Sequence, residues 1–266
     1  MLASEVFFAR CFSWFYKGSR YQCNLCGFKS RELRWRGHSF PILKEKNVIS
    51  AGKRRSDCPH CLSSDRDRLV WLYLKNNLAQ NKNILHVAPE LPLANAIKDS
   101  STLEPIEYTC IDKKTKGYYY PRWVQDGDIT SLNFPDAHFD LIIANHVLEH
   151  IPNLTKALAE LKRVLKPTGH AIFMVPLSGS HPTDDGCQLI NDKIICALSE
   201  NEKINRFGQK DHVRLFGNDI ETIFDTHGWF ISPQKPSDLV SDDILLESLA
   251  LFPGECLLLA QPASLN

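Results

Sequence analysis

The chain has 266 residues, with 31 basic and 31 acidic side chains and a formal net charge of zero. Hydrophobic residues make up 43% and charged residues 23%, which predicts a packed core in one substantial domain plus a small appendage. No apolar run approaches the roughly 20 residues needed to span a membrane, and the front lacks a secretory cleavage signal, so a cytoplasmic protein is expected.

The charge is unevenly placed. Residues 1–75 hold 15 Lys/Arg against 6 Asp/Glu, a balance of +9, and the remainder carries −9. A basic front could touch phosphates on RNA, nucleotide-sugars or lipids, or it could simply be solvated surface. Residues 1–20 form an aromatic lead with Phe7, Phe8, Phe12, Trp14, Phe15 and Tyr16. This segment is expected to dock onto the main domain; weak contact of residues 6–16 with a membrane surface is the alternative.

Residues 21–66 hold two C-x-x-C knuckles, Cys23–Cys26 and Cys58–Cys61, 31 residues apart. Each knuckle points two thiolates at one ion, and two knuckles complete a tetrahedral shell, so a structural Zn2+ is expected. The intervening segment could hold a hairpin or ribbon, with Gly27, Gly37 and Gly52 at bends. The other five cysteines are expected to be small buried apolar residues rather than disulfide partners.

From residue 67 onward, helix and strand signals alternate. Residues 67–78 read as a helix, with Asp65 as its cap. Strands are predicted at 83–87, 107–111, 139–144, 170–175, 229–231 and 255–260, with helices at 91–99, 154–165 and 217–227. Residues 118–124 read as an irregular link. Short apolar strands between helices predict an α/β fold, a doubly wound and mostly parallel sheet, over residues 67–266. Ligands in such sheets bind outside the carboxyl ends of the strands, where the strand order reverses. Ala88 and Glu90 follow the first strand, Asp112 ends the second 24 residues later, and Asp128-Ile129 follows a turn.

The run FPDAHFDLIIANHVLEHIPNLTKALAELKRVLKPTGHAIFMVP resembles the class I S-adenosylmethionine (SAM)-dependent methyltransferases in their small-molecule branch. The likeness is close over about residues 80–178 and looser to 260. The order of C-x-x-C pairs, L-H-V-A-P-E, V-L-E-H and F-G-Q-K-D-H-V-R also resembles a bacterial subgroup of that family, in which the glycine-poor first loop is normal. The resemblance implies a seven-stranded Rossmann-like sheet with SAM held by His86, Ala88, Glu90, Asp112, Asp128, Ile129 and Asn145. Glu90 would accept from the amino group, Asp112 from the ribose hydroxyls and Asp128 from the adenine amino group.

A hydroxyl acceptor benefits from a general base, most often histidine. His146, His150 and His212 are therefore the expected catalytic residues, and His181, Asp211 and Arg214 the acceptor-binding ones. His146, Glu149 and His150 could also converge on a divalent metal, as similar triplets do in quinone O-methyltransferases. The expected activity is methyl transfer to a small-molecule or glycan-type acceptor, with O-methylation favoured. Two alternatives stay open: an RNA methyltransferase whose zinc module grips phosphates, and a non-catalytic protein that keeps the SAM fold.

Overall fold

Apolar residues run almost unbroken through four segments, and these become the middle of a seven-stranded sheet. The computed structural model describes residues 3–101, 106–191 and 193–263; residues 1–2, 102–105, 192 and 264–266, which fall in the expected ranges 1–20 and 67–266, lie outside the described residues. The strands are β1 (Asn83–Val87), β2 (Glu107–Asp112), β3 (Val124–Asp126), β4 (Phe139–Asn145), β5 (Leu165–Met174), β6 (Trp229–Gln234) and β7 (Leu257–Pro262). Their spatial order is β6-β7-β5-β4-β1-β2-β3. All neighbours are parallel except β7, which runs antiparallel to both β5 and β6. The chain moves from β1 outward to β2 and β3, then crosses back to β4 on the other side of β1. The carboxyl ends of β1 and β4 therefore part, and a crevice opens between them.

Helices cover both faces, which is why the inner strands carry no polar face. Leu85, Ile142, Ala144 and Phe173 pack against α3 (Leu154–Val164) and α4 (Ile220–Thr226). Ile84, Leu141, Ile143 and Ile172 pack against α1 (Asp65–Asn77) and α2 (Leu91–Ser101). Two sequence expectations need correction here. The cap of α1 is Ser64, in a capping box with Asp67, while Asp65 turns away to pair with Arg54 at 2.7 Å. The link before residue 124 leads directly into a short strand, β3, because Cys110, Ile111 and Asp112 give it a parallel partner.

At the opposite end of the sheet, Asp140 ties β1 to β5. Its carboxylate accepts from the backbone of Asn83 at 2.9 Å and pairs with Lys166 at 2.8 Å. Burial raises its pKa, but the Lys166 and backbone hydrogen bonds outweigh that and hold it below the ordinary carboxylate range. A depressed carboxylate contributes stability above its unfolded pKa of about 3.9 and loses it as pH falls through the lower folded value. Asp140→Asn is expected to be less stable than the parent at pH 7, with the gap closing below about pH 4. Urea melts at both pH values check this; a gap of constant size speaks against the linkage.

The front of the chain is folded onto this sheet. Lys17–Gln22 pairs with Lys29–Ser30, and Arg34–Arg36 pairs with Arg54–Asp57, both antiparallel. The insertion between the latter two strands reaches across to the main sheet domain. There Val48–Ile49 pairs with Leu177–Ser178, just beyond β5. Lys46 adds an ion pair with Asp184 at 3.0 Å, and Arg54 one with Glu255 at 3.0 Å. Gly37 and Gly52 meet at the neck of the insertion, both with positive φ, and a Cβ on Gly37 would strike the Gly52 carbonyl.

The aromatic lead does not dock by its aromatic side chains. Ala3–Phe12 is helical, and Phe7, Phe8, Phe12, Trp14 and Phe15 are each more than half exposed; Ala9 and Ser13 are the buried residues that seat the segment. The cysteine expectation also changes. Cys187 and Cys196 form a disulfide, because the hairpin Gln188–Ile190/Lys193–Ile195 sets them opposite each other. Cys110 is buried as expected, Cys256 is half-buried and Cys11 is exposed.

Candidate functional site

The two C-x-x-C turns converge. Cys23 Sγ lies 3.7 Å from Cys61 Sγ, and Cys26 Sγ lies 3.7 Å from Cys58 Sγ. A tetrahedral zinc with Zn–S bonds near 2.3 Å requires sulfur pairs about 3.8 Å apart, so the four thiols fit that ion. As thiols they are poorly matched. Hydrogen bonds from Cys26, Cys58 and Cys61 drive Cys23 towards the thiolate. His60 stays out of the shell and stacks on Phe28. The first knuckle is pinned to α1, with Trp71 Nε1 donating to the Asn24 carbonyl at 3.0 Å.

Beside this cluster, a cleft of about 430 Å³ opens over the ends of β1 and β2. Ala88, Pro89, Glu90 and Asp112 form its floor, and Tyr118, Tyr119, Tyr120 and Pro121 one side. Arg36, Ser64, Arg66 and Asp67, from the front of the chain and the start of α1, form the other. Ala88 turns the chain at the end of β1 with φ +48° while its N–H donates to the Ile111 carbonyl. A small side chain there leaves the backbone open to a ligand.

Glu90 is aimed by a relay. Burial raises the Tyr108 pKa well above its usual value, so the phenol keeps its proton and donates to His86 Nδ1 at 2.6 Å. With Nδ1 accepting from the phenol, the Nε2–H donates to Glu90 at 3.1 Å. His86 is fully buried within the sheet, so it positions Glu90 instead of lining the cleft. Asp112 does line it, and burial raises its carboxyl above the ordinary range.

Asp128 and Ile129 are not brought to the cleft wall. Ile129 is buried in the core, and Asp128 is occupied by Lys113 at 2.7 Å and by Thr130. Asn145, at the end of β4, is buried with neither amide atom partnered among the described residues. An amide left this way costs free energy until something bonds to it, so a ligand at the β4 end is consistent with the fold.

A second cavity, of about 320 Å³, adjoins the first and shares Arg36 and Arg66 with it. Its inner wall is His146, Glu149, His150 and His212, and its roof is the 37–54 insertion with His38, Ser50 and Arg54. His146 follows β4 with φ +53°, and its Nδ1 meets Glu149 Oε1 at 3.0 Å. Burial pushes Glu149 up to about 8, and burial with the nearby His150 charge takes His212 down to about 4. Burial holds His146 far below its usual value as well. His146 and His212 are therefore neutral at physiological pH, the form that can accept a proton.

The 212–214 strip reaches His150 through backbone stitching. Val213 N–H donates to the Glu149 carbonyl at 2.9 Å. Arg214 is 1% exposed and donates to the Leu148 carbonyl at 2.8 Å, to those of Ile151 and Pro152, and to Asp185. Its guanidinium is thus spent on holding the loop and is not open to an acceptor. Removing it as Arg214→Met is expected to cost about 3–5 kcal/mol of stability, since three buried carbonyls lose their donor. Denaturant unfolding measures this; a loss below about 1 kcal/mol contradicts it. Asp211 lies at the rim and accepts from His150, while His181 is exposed and bonded to Ser180, away from the cavity lining. Sequence reasoning missed Arg36, Arg66 and the tyrosine run, since nothing local marks an arginine in one module as the wall of a cleft in another.

Residues 93–173 match the family model described as a methyltransferase domain. The uncharacterized protein YafE of Escherichia coli is 38% identical over 101 residues, which cover 38% of this chain and 46% of that protein. A 2-phytyl-1,4-naphtoquinone methyltransferase of Synechococcus elongatus is 40% identical over 50 residues, 19% of this chain and 22% of that one. The matched region thus spans less than half the length of these curated relatives. A SAM-dependent methyltransferase structure from Archaeoglobus fulgidus superposes with a TM-score of 0.42 at 15% identity, covering 74% of this chain and 94% of that one. The strand order and the crevice at its reversal give the main body of this chain a Rossmann-like α/β fold, residues 93–173 of it are similar to a methyltransferase domain, and a four-cysteine module precedes it.

Proposed function

We propose that the protein transfers a methyl group from SAM to an oxygen of a small-molecule or glycan-type acceptor, with a structural zinc in its cysteine cluster. The observation that carries this reading is the adjacency of two clefts. One is lined by Glu90 and Asp112 at the strand ends, the other by neutral histidines, and Arg36 and Arg66 stand in the wall of both. Glu90 would accept from the SAM amino group, Asp112 from the ribose hydroxyls, and Asn145 would gain the partner it lacks. When bound, SAM supplies an electrophilic methyl carbon, and transfer leaves S-adenosylhomocysteine. The acceptor hydroxyl loses its proton as the new C–O bond forms, and His146 Nε2 can take it. The zinc closes the front module, and the 37–54 insertion roofs the acceptor cavity and keeps water from it.

Isothermal titration with SAM, followed by S-adenosylhomocysteine release in the presence of hydroxylated acceptors, tests the reading. Absence of SAM binding at millimolar ligand removes it. His86→Ala is expected to weaken SAM binding by roughly tenfold through Glu90, the loss of about one charge-assisted hydrogen bond. The same titration checks this, and unchanged affinity counts against the relay. The charge pattern gives less support to an RNA substrate. Arg36, Lys46, Arg54 and Arg55 of the basic front are each paired with a carboxylate. The exposed aromatic row Phe7, Phe8, Phe12, Trp14 and Phe15 supports a weak contact with a membrane surface, and no helix among the described residues is long and apolar enough to cross one.

A further inference from the structure

We infer that the acceptor cavity holds a divalent metal ion, bound by Glu149, His150 and His212. The inference rests on the methyltransferase reading for its role, though not for its existence. The ligand atoms of these three residues lie within 4.8 Å of one another. Metal bonds of about 2.0–2.2 Å to nitrogen and oxygen place opposite ligands a little over 4 Å apart, so small side-chain rotations close the set. His146 is not part of it. Its Nδ1 already meets Glu149 Oε1, and His212 arrives from the distant 212–214 strip.

Two further observations point at an ion. Glu149 is fully buried, yet Oε2 has no partner among the described residues; His212 is 5% exposed, yet its Nδ1 has none either. Buried polar atoms are rarely left so, and here these two, together with His146 Nε2, belong to residues that border one cavity. The outer contacts have the form metal-binding histidines need. His150 Nδ1 meets the Asp211 carbonyl at 3.2 Å and its carboxylate at 3.5 Å, which frees Nε2 for an ion. On His212 the ring nitrogen without a partner among the described residues is Nδ1. The two rings stand edge to face with centroids 4.7 Å apart. Two imidazoles and one carboxylate suit Zn2+, Fe2+, Mn2+ or Co2+ better than Mg2+, and three protein ligands leave open positions towards the cavity. An acceptor oxygen can occupy one of them. Arg36 and Arg54 are neutralised by Asp57, Asp65 and Glu255, so of the arginines lining the cavity Arg66 is the one whose charge opposes the cation.

The test keeps zinc in the cysteine cluster and titrates the protein with Co2+. The expected result is about one further equivalent bound, with weak visible bands and none of the intense sulfur-to-cobalt absorption of a thiolate site, and a rise in melting temperature. Glu149→Gln and His212→Gln are expected to abolish the bands and the melting shift while zinc content stays unchanged. Asp211→Asn, at the exposed rim, is expected to weaken Co2+ binding by about 10- to 100-fold with no folding defect. Absence of extra Co2+ uptake by the parent protein, or uptake that all three variants retain, overturns the proposal. SAM titration of the same samples separates the two readings. SAM binding without Co2+ uptake removes the metal alone; Co2+ uptake without SAM binding leaves the metal and removes the methyltransferase activity.

Discussion

Cys58→Ser is expected to lose the zinc, unfold the front module and abolish SAM binding together. Structural zinc sites contribute apparent binding free energies of about 10–16 kcal/mol, all of it available to folding. Here the module does not fold for itself alone. Arg36 and Ser64, on the segments that the cluster gathers, line the cleft at the β1 and β2 ends, and the insertion between Arg36 and Arg54 lines the second cavity and pairs with Leu177–Ser178. Losing the zinc therefore opens both clefts to water. Zinc content is expected to fall from about one equivalent to near zero, with SAM affinity falling at least about 100-fold. Metal analysis, amide hydrogen exchange and calorimetry check the three parts separately. The rest of the sheet has its own core and should keep its protection. Full SAM affinity in zinc-free protein would show that the module is a passenger.

Asp112→Ala is expected to weaken SAM by roughly 100-fold, the largest effect of any single change within the sheet domain. A carboxylate that accepts from two ribose hydroxyls makes two charge-assisted hydrogen bonds, each worth about 1.5–3 kcal/mol, and part of that is returned by water in the variant. The position is also pH-sensitive. Burial raises the Asp112 pKa, and only the ionised carboxylate accepts from both hydroxyls. Affinity is therefore full above the raised pKa and declines as pH falls through it, with the decline beginning above the ordinary value of about 3.9. Asp112→Asn, which cannot titrate, should bind weakly with no such pH dependence. Titrations between pH 7 and pH 4 decide this; a parallel decline in both proteins would assign the effect elsewhere.

Two arginines, from different elements, line both clefts. Arg36 lies on a ribbon strand and is held by Asp57 at 2.6 Å. Arg66 lies on the first turn of α1, with a backbone contact to Ser50 at 3.4 Å and no carboxylate partner among the described residues. Its charge is the one left facing the ligand space.

The sequence by itself determined the sheet, since four unbroken apolar segments buried on both faces have few other solutions, and their order placed Asp112 and Glu90 at strand ends. It also determined the cysteine cluster, because a C-x-x-C turn is a local geometry that survives any packing. It did not determine which charged side chains face the ligand space. Arg214 and Asp128 read as site residues, but the first is consumed by three loop carbonyls and the second by Lys113 and Thr130. Arg36, Arg66 and the meeting of His150 with His212 depend on contacts across tens to hundreds of residues, which tertiary packing alone decides. Side-chain pairing is a competition among neighbours, and the neighbours are named only once the chain has folded.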